Sequence, residues 1–254
     1  MKLKVLGAYG SEGQGQRPSA FLVDDSVLVD AGTVGGALTV AEQVEIRHAL
    51  ISHAHLDHMA GLAFLTDTLA MVAPERQVTV TSIAPVIEAL RIHAFNDALW
   101  PNFTTIPSGS SPVLGFRSLV EEGEARVGEL WVTPVPVEHT VPTTGYVVHD
   151  GETGFVYSGD TGPTERLWRV AREMRGLKAL IVETAFPNRL DALARVSGHL
   201  TPEMLRREID KMPPDIPIWI FHIKPQLFQE TAEQLATIDP ARIHTLEQGK
   251  TYSL

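Results

Sequence analysis

Six consecutive positions, His53-Ala54-His55-Leu56-Asp57-His58, hold four side chains able to ligate a metal. No other stretch constrains the fold as tightly, because groups of this kind packed into one turn must share a partner or be buried at a cost. Leu50 and Ile51 read as the end of a buried strand and the apolar run from Met59 reads as a helix, so the cluster is expected on the turn between them. His53 and His55, two residues apart, project the same way from extended backbone, and Asp57 and His58 can serve a second ion on the other side of the turn. Imidazole with carboxylate suits zinc, with manganese and iron also open. The chain has no cysteine, so histidine and aspartate alone would have to hold the metal.

The order His-x-His-x-Asp-His resembles the signature of the metallo-β-lactamase superfamily. That resemblance implies an α/β fold, a four-layer αββα sandwich with two divalent ions at one edge, and further ligands downstream. Candidates stand at His139 in Val137-Glu138-His139-Thr140, at Asp160 in Tyr157-Ser158-Gly159-Asp160-Thr161, and at His222 in Ile220-Phe221-His222-Ile223-Lys224. By analogy His53, His55 and His139 hold one ion, Asp57, His58 and His222 hold the other, and Asp160 bridges them. Zinc is the expected metal, with Mn2+ or Fe2+ as alternatives.

The stretch from Ile92 to Phe103 carries Phe95-Asn96, Trp100-Pro101 and Phe103. Such a cluster is either core packing or a surface for stacking on a planar ring. Together with Gly159-Asp160-Thr161-Gly162-Pro163, Glu183-Thr184-Ala185-Phe186-Pro187-Asn188, Ser197-Gly198-His199-Leu200-Thr201-Pro202 and His222-Ile223-Lys224-Pro225, it resembles the class II cyclic-nucleotide phosphodiesterases over most of the chain. Ala63-Phe64-Leu65-Thr66 departs from that pattern, ending in threonine where the family has serine. The resemblance implies hydrolysis of a 3',5'-cyclic nucleotide, cAMP or cGMP, to the 5'-monophosphate by a hydroxide bridging two metals. It also implies that Asp57 holds the hydroxide in line, that His199 protonates the leaving alkoxide, and that Glu183 orients the His199 ring. Phe95, Asn96, Trp100 and Phe103 are the candidate wall around the base. Read without the resemblance, His199 is a neighbour of a helix cap at Thr201, and Lys224 either touches phosphate or solvates a strand end. The alternatives are a ribonuclease Z-like tRNA 3' processing phosphodiesterase, a thioester or lactam hydrolase, and a metal-binding module without turnover.

A net charge of −10 argues against a nucleic-acid partner, whose phosphates need a lysine and arginine surface. A small cyclic nucleotide remains compatible. At 44% hydrophobic residues, 254 positions can bury the core of one large domain, residues 1–254, and no linker or repeat divides them. The opening residues alternate like a strand and do not resemble a signal peptide, and no apolar run has the length of a membrane span, so a cytoplasmic protein is expected. The resemblance leaves a homodimer open.

Along the chain, a strand at 2–6 leads into a glycine-rich loop at 7–15. No lysine or helix follows that loop, so it is expected beside the site and not as a phosphate cradle. A hairpin at 20–24 and 27–30 closes on Asp30, which either orients a ligand histidine or caps the strand end. Pro85 opens a helix running toward Leu99, and 108–111 and 121–128 read as loops. Strands at 130–137, 155–158 and 217–221 are expected to deliver His139, Asp160 and His222.

Overall fold

The computed structural model describes residues 1–254. Two seven-stranded sheets face each other. In the first, neighbouring strands run Thr251–Ser253, Lys2–Gly7, Ala20–Val23, Val27–Ala31, His48–Leu50, Val78–Ile83 and Leu114–Leu119. In the second the order is Ile243–Thr245, Ile218–Phe221, Leu177–Glu183, Gly154–Tyr157, Thr144–His149, Leu130–Pro136 and Ala125–Val127.

Period-two alternation gives each sheet two apolar faces, and three separate cores result. Phe21, Val29 and Leu50 of the first sheet meet Tyr146, Phe155 and Phe221 of the second between the sheets. The other face of the first sheet, with Leu28, Ala49 and Val80, packs on Leu62, Leu65 and Leu69 of the helix Leu56–Val72. The other face of the second sheet, with Val156, Val182 and Ile220, packs on Trp168, Leu205 and Leu235 from the helices Arg166–Glu173, Pro202–Glu208 and Phe228–Leu235. Helix, sheet, sheet, helix is the four-layer αββα sandwich expected from the sequence. No helix is long and apolar enough to cross a membrane.

The topology places the chemistry. His48–Leu50 is parallel to Val27–Ala31 and to Val78–Ile83, and its carboxyl end leads into the histidine cluster. Gly154–Tyr157, Leu177–Glu183 and Ile218–Phe221 are parallel neighbours, and Asp160, Glu183 and His222 lie at or just beyond their carboxyl ends. The Leu56–Val72 helix lies so close to the first sheet that a Cβ at Gly61 would stand 2.7 Å from the Ala31 carbonyl oxygen, so only glycine fits there.

Several boundaries differ from the sequence expectation. The helix after the cluster begins at Leu56, with His55 in the N-cap position, so Asp57 and His58 sit in its first turn and not on the preceding loop. The helix opened by Pro85 ends at His93, because Asn96 accepts hydrogen bonds from the backbone N–H groups of Ala98 and Leu99 and folds the chain into a turn. The expected loop at 121–128 contains the strand Ala125–Val127, and the one at 108–111 falls within a hairpin of two two-residue strands. The strand Thr251–Ser253 and the helices Val40–Val44 and Asp191–Ser197 were not foreseen, since elements this short carry too little periodicity to be read.

Trp168 is fully buried in the outer core and its Nε1–H donates to Glu208 at 2.9 Å. Trp168→Ala is expected to cost about 3 to 5 kcal/mol, read as a fall in the urea midpoint with an unchanged m value.

Candidate metal centre

Loops and first turns at the strand ends bring the seven candidate ligands together. His53, His55 and His139 can direct one nitrogen each to a common point, the Asp57 carboxylate can do the same with one nitrogen each from His58 and His222, and Asp160 groups with His53 and His58. The Asp160 carboxylate lies between the two sets, with Oδ2 3.8 Å from His53 Nε2, 3.2 Å from His58 Nε2 and 3.1 Å from His222 Nε2. Asp57 Oδ2 is 3.8 Å from His222 Nε2, and His139 Nε2 is 3.3 Å from His55 Nδ1.

Outward hydrogen bonds set the direction in which each ring presents its lone pair. Ser52 Oγ donates to Asp30 Oδ2 at 2.8 Å, so its contact of 3.0 Å with His53 Nδ1 is one in which the imidazole N–H donates. The same logic holds at His222, where Ser19 Oγ donates to the Tyr9 carbonyl and accepts from Nδ1 at 3.2 Å. His58 Nδ1 donates to Asp30 Oδ2 at 2.7 Å, and His139 Nδ1 donates to the Gly198 carbonyl at 2.9 Å. Nε2 of His53, His139 and His222 is thereby left with its lone pair facing the cluster, and His58 Nε2 faces it as well. His53 Nε2, His58 Nε2 and Asp160 Oδ1 are buried without a hydrogen-bond partner. Buried polar atoms left open in this way fit a divalent cation.

Burial depresses the pKa of His53 and His222 far below the ordinary imidazole value and pushes that of His139 down to about 4, so all three are neutral donors near pH 7. At His58 burial opposes the charged form too, but the Asp160 and Asp30 carboxylates outweigh it and raise the pKa.

Asp30 resolves the choice left open by the sequence. It is fully buried and accepts four hydrogen bonds, from the Ser52 backbone, Ser52 Oγ, His58 Nδ1 and Tyr157 Oη. Ser19, Ser52, Tyr157 and the Gly198 carbonyl complete this outer layer. Sequence reasoning assigned them no role, and only Ser52, adjoining His53, stood where spacing could have drawn notice.

Beside the cluster lies a second buried pair. His199 Nδ1 is 2.9 Å from Glu183 Oε1, which also accepts from the backbone N–H groups of Thr161 and Leu200. The His199 ring lies 5.0 Å from that of His139 and stacks at 5.3 Å on that of His222. Burial disfavours its charged form, yet the Glu183 carboxylate prevails and raises the His199 pKa. Lys224, which the sequence left between phosphate contact and strand-end solvation, reaches the cluster. Its Nζ lies 3.7 Å from Asp57 Oδ2 and donates to the Gly10 carbonyl.

Phe95 and Phe103 of the candidate base wall are a correction. Phe95 and Phe103 are only 3% and 4% exposed and belong to the core behind the first sheet, so neither ring has a free face for stacking. Asn96 spends its side chain on the turn after the Ala84–His93 helix. Trp100 is half-buried, with Nε1–H donated to the Ala63 carbonyl at 3.0 Å and its ring set edge-on to Phe64.

Residues 26–223 match the beta-lactamase superfamily domain family. The chain belongs to that family. In the β-lactamase superfamily this fold implies divalent-metal binding, in keeping with the cluster. A protein of Yersinia pestis named as a probable 3',5'-cyclic-nucleotide phosphodiesterase is 31% identical over an alignment of 210 positions that covers 72% of this chain and 59% of that protein's length. The chain thus spans less than two thirds of that relative. A 3',5'-cyclic-nucleotide phosphodiesterase of Aliivibrio fischeri is 28% identical over an alignment of 272 positions, gaps included, that covers 87% of this chain and 80% of the relative. The crystal structure of unliganded yeast PDE1 superposes with a TM-score of 0.84 at 18% identity, covering 98% of both chains, a likeness of fold.

Removing Asp30 would leave four donors without their acceptor and free the His58 ring to turn. Asp30→Ala is expected to lower divalent-metal affinity by about ten- to a hundredfold, measured by competition with a chromophoric chelator.

Proposed function

We propose that this protein is a metal-dependent phosphodiesterase that opens 3',5'-cyclic nucleotides to nucleoside 5'-monophosphates. The observation that carries the reading is the buried His199–Glu183 pair set against the histidine cluster. A cluster of this kind serves many hydrolyses, but a paired acid is needed where the leaving group is a poor one such as a ribose alkoxide. The names of the Yersinia pestis and Aliivibrio fischeri relatives narrow the ester to a cyclic nucleotide.

In this reading His53, His55 and His139 would hold one divalent ion, Asp57, His58 and His222 would hold a second, and Asp160 would serve both; zinc suits the set, as would manganese or iron. Bound ions of this kind supply a deprotonated water at neutral pH and offset charge on the phosphate oxygens. Asp57, in the first helical turn, holds the attacking oxygen in line with phosphorus. As the new P–O bond forms and the P–O3' bond breaks, His199 gives its Nε2 proton to the departing O3'. Glu183 keeps the ring's other nitrogen occupied and so fixes which nitrogen faces substrate. Lys224 adds a fixed positive charge near Asp57. The acidic surface, with its net charge of −10, suits a small substrate better than tRNA.

Purified protein is expected to convert cAMP or cGMP to the 5'-monophosphate, with turnover abolished by chelation and restored by metal. His55→Ala should lose turnover while keeping its circular dichroism. Absence of 5'-product with the metal sites filled would refute the reading.

His199→Ala and Glu183→Gln are expected to lower kcat by about a hundred- to ten-thousandfold with little change in KM. The deficit should shrink on an ester with an acidic leaving group such as p-nitrophenol, which needs no proton.

A further inference from the structure

With Phe95 and Phe103 in the core, the surface beside Asp57 supplies a wall for the base. A depression of about 550 Å³ opens there. Leu56, Ala60 and Phe64, spaced four apart on one face of the Leu56–Val72 helix, form one side, Pro18 and Val34 lie among its other lining residues, and Asp57 lines it too. Leu56 is 66% exposed and Phe64 is 59% exposed. One such residue on a surface means little, but two on one helix face, sharing a depression with a candidate ligand, make an apolar platform that abuts the chemistry. The platform is also braced. The Trp100 ring stands edge-on to Phe64 at 5.5 Å, and the hydrogen bond from Trp100 to the Ala63 carbonyl fixes that ring in turn.

Charge selects what can enter. The charged side chains lining this depression, Glu12 and Asp57, are both carboxylates, which disfavour a phosphate and tolerate an uncharged ring with N–H groups on its edge. On the far side of the cluster a depression of about 430 Å³ beside His139 offers one hydrophobic side chain, Val196, among Glu138, Arg195 and glycines. It has no aromatic face.

We infer that Phe64 and Leu56 form the base-binding platform, so that a cyclic nucleotide lies with its phosphate on the cluster and its purine over the Leu56–Val72 helix. This rests on the phosphodiesterase reading and adds to it the orientation of the substrate and the residues that grip its base. Stacking and apolar contact read the face of a ring, which adenine and guanine share, so both bases are held on the same surface.

The test compares wild type, Phe64→Ala, Leu56→Ala and Val196→Ala on cAMP, cGMP and the base-free diester methyl p-nitrophenyl phosphate. All three positions are exposed, so the fold should survive each change. Phe64→Ala is expected to raise KM for both nucleotides on the order of tenfold, the loss of one base–aromatic stack, with kcat within about threefold. Its turnover of the base-free diester should match wild type, and Val196→Ala should match wild type throughout. An unchanged nucleotide KM in Phe64→Ala and Leu56→Ala, or a KM rise in Val196→Ala instead, overturns the platform while leaving the phosphodiesterase reading intact. Wild-type protein that opens the base-free diester but neither nucleotide overturns both.

Discussion

One buried carboxylate underlies the arrangement. Asp30 ends a strand of the first sheet, yet its oxygens accept from the backbone and side chain of Ser52, from His58 and from a tyrosine on the opposite sheet. A buried charge survives only when saturated with donors, and here each donor is a part of the site that needs fixing. Ser52 passes the constraint to His53, so one carboxylate orients two rings. Its backbone adopts a left-handed conformation, φ 53°, the kind of local strain a fold retains where a side chain must be aimed.

The same economy recurs at the other ligands. His139 is turned by a carbonyl in the glycine-bearing loop that leads to His199, so the acid pair and the cluster share backbone. His222 is also left-handed, φ 70°, and Gly10 lies so close that a Cβ would stand 2.4 Å from the His222 carbonyl oxygen. The glycine-rich loop near the start of the chain is thus a cover for the last histidine. Gly10 serves that close approach.

Much of this was legible in the sequence, and the limits have physical causes. His53, His55, Asp57 and His58 announce themselves by density, whereas His139, Asp160 and His222 stood out through the resemblance, with apolar runs reading as the strands that precede them. The layer order followed from resemblance, and the strand positions from period-two alternation. What could not be read is what depends on contacts distant in sequence. Ser19 reaches His222 across 203 positions, and Asp30 reaches Tyr157 across 127. Phe95 and Phe103 misled because a run of aromatics looks the same whether its rings face solvent or the core. Phe64 went unnoticed as a ligand surface because one phenylalanine in an apolar helix reads as packing. Only its exposure separates it from its neighbours.

The ligand candidates divide between the two halves of the sandwich. His53, His55, Asp57 and His58 follow a strand of the first sheet, whereas His139, Asp160 and His222 follow strands of the second. A cation gripped from both sides is therefore a staple across the seam where the sheets meet, closing a loop that spans most of the chain. The occupancy of such a site would be coupled to whether the halves stay pressed together, so a bound ion would also act as a mechanical fastener.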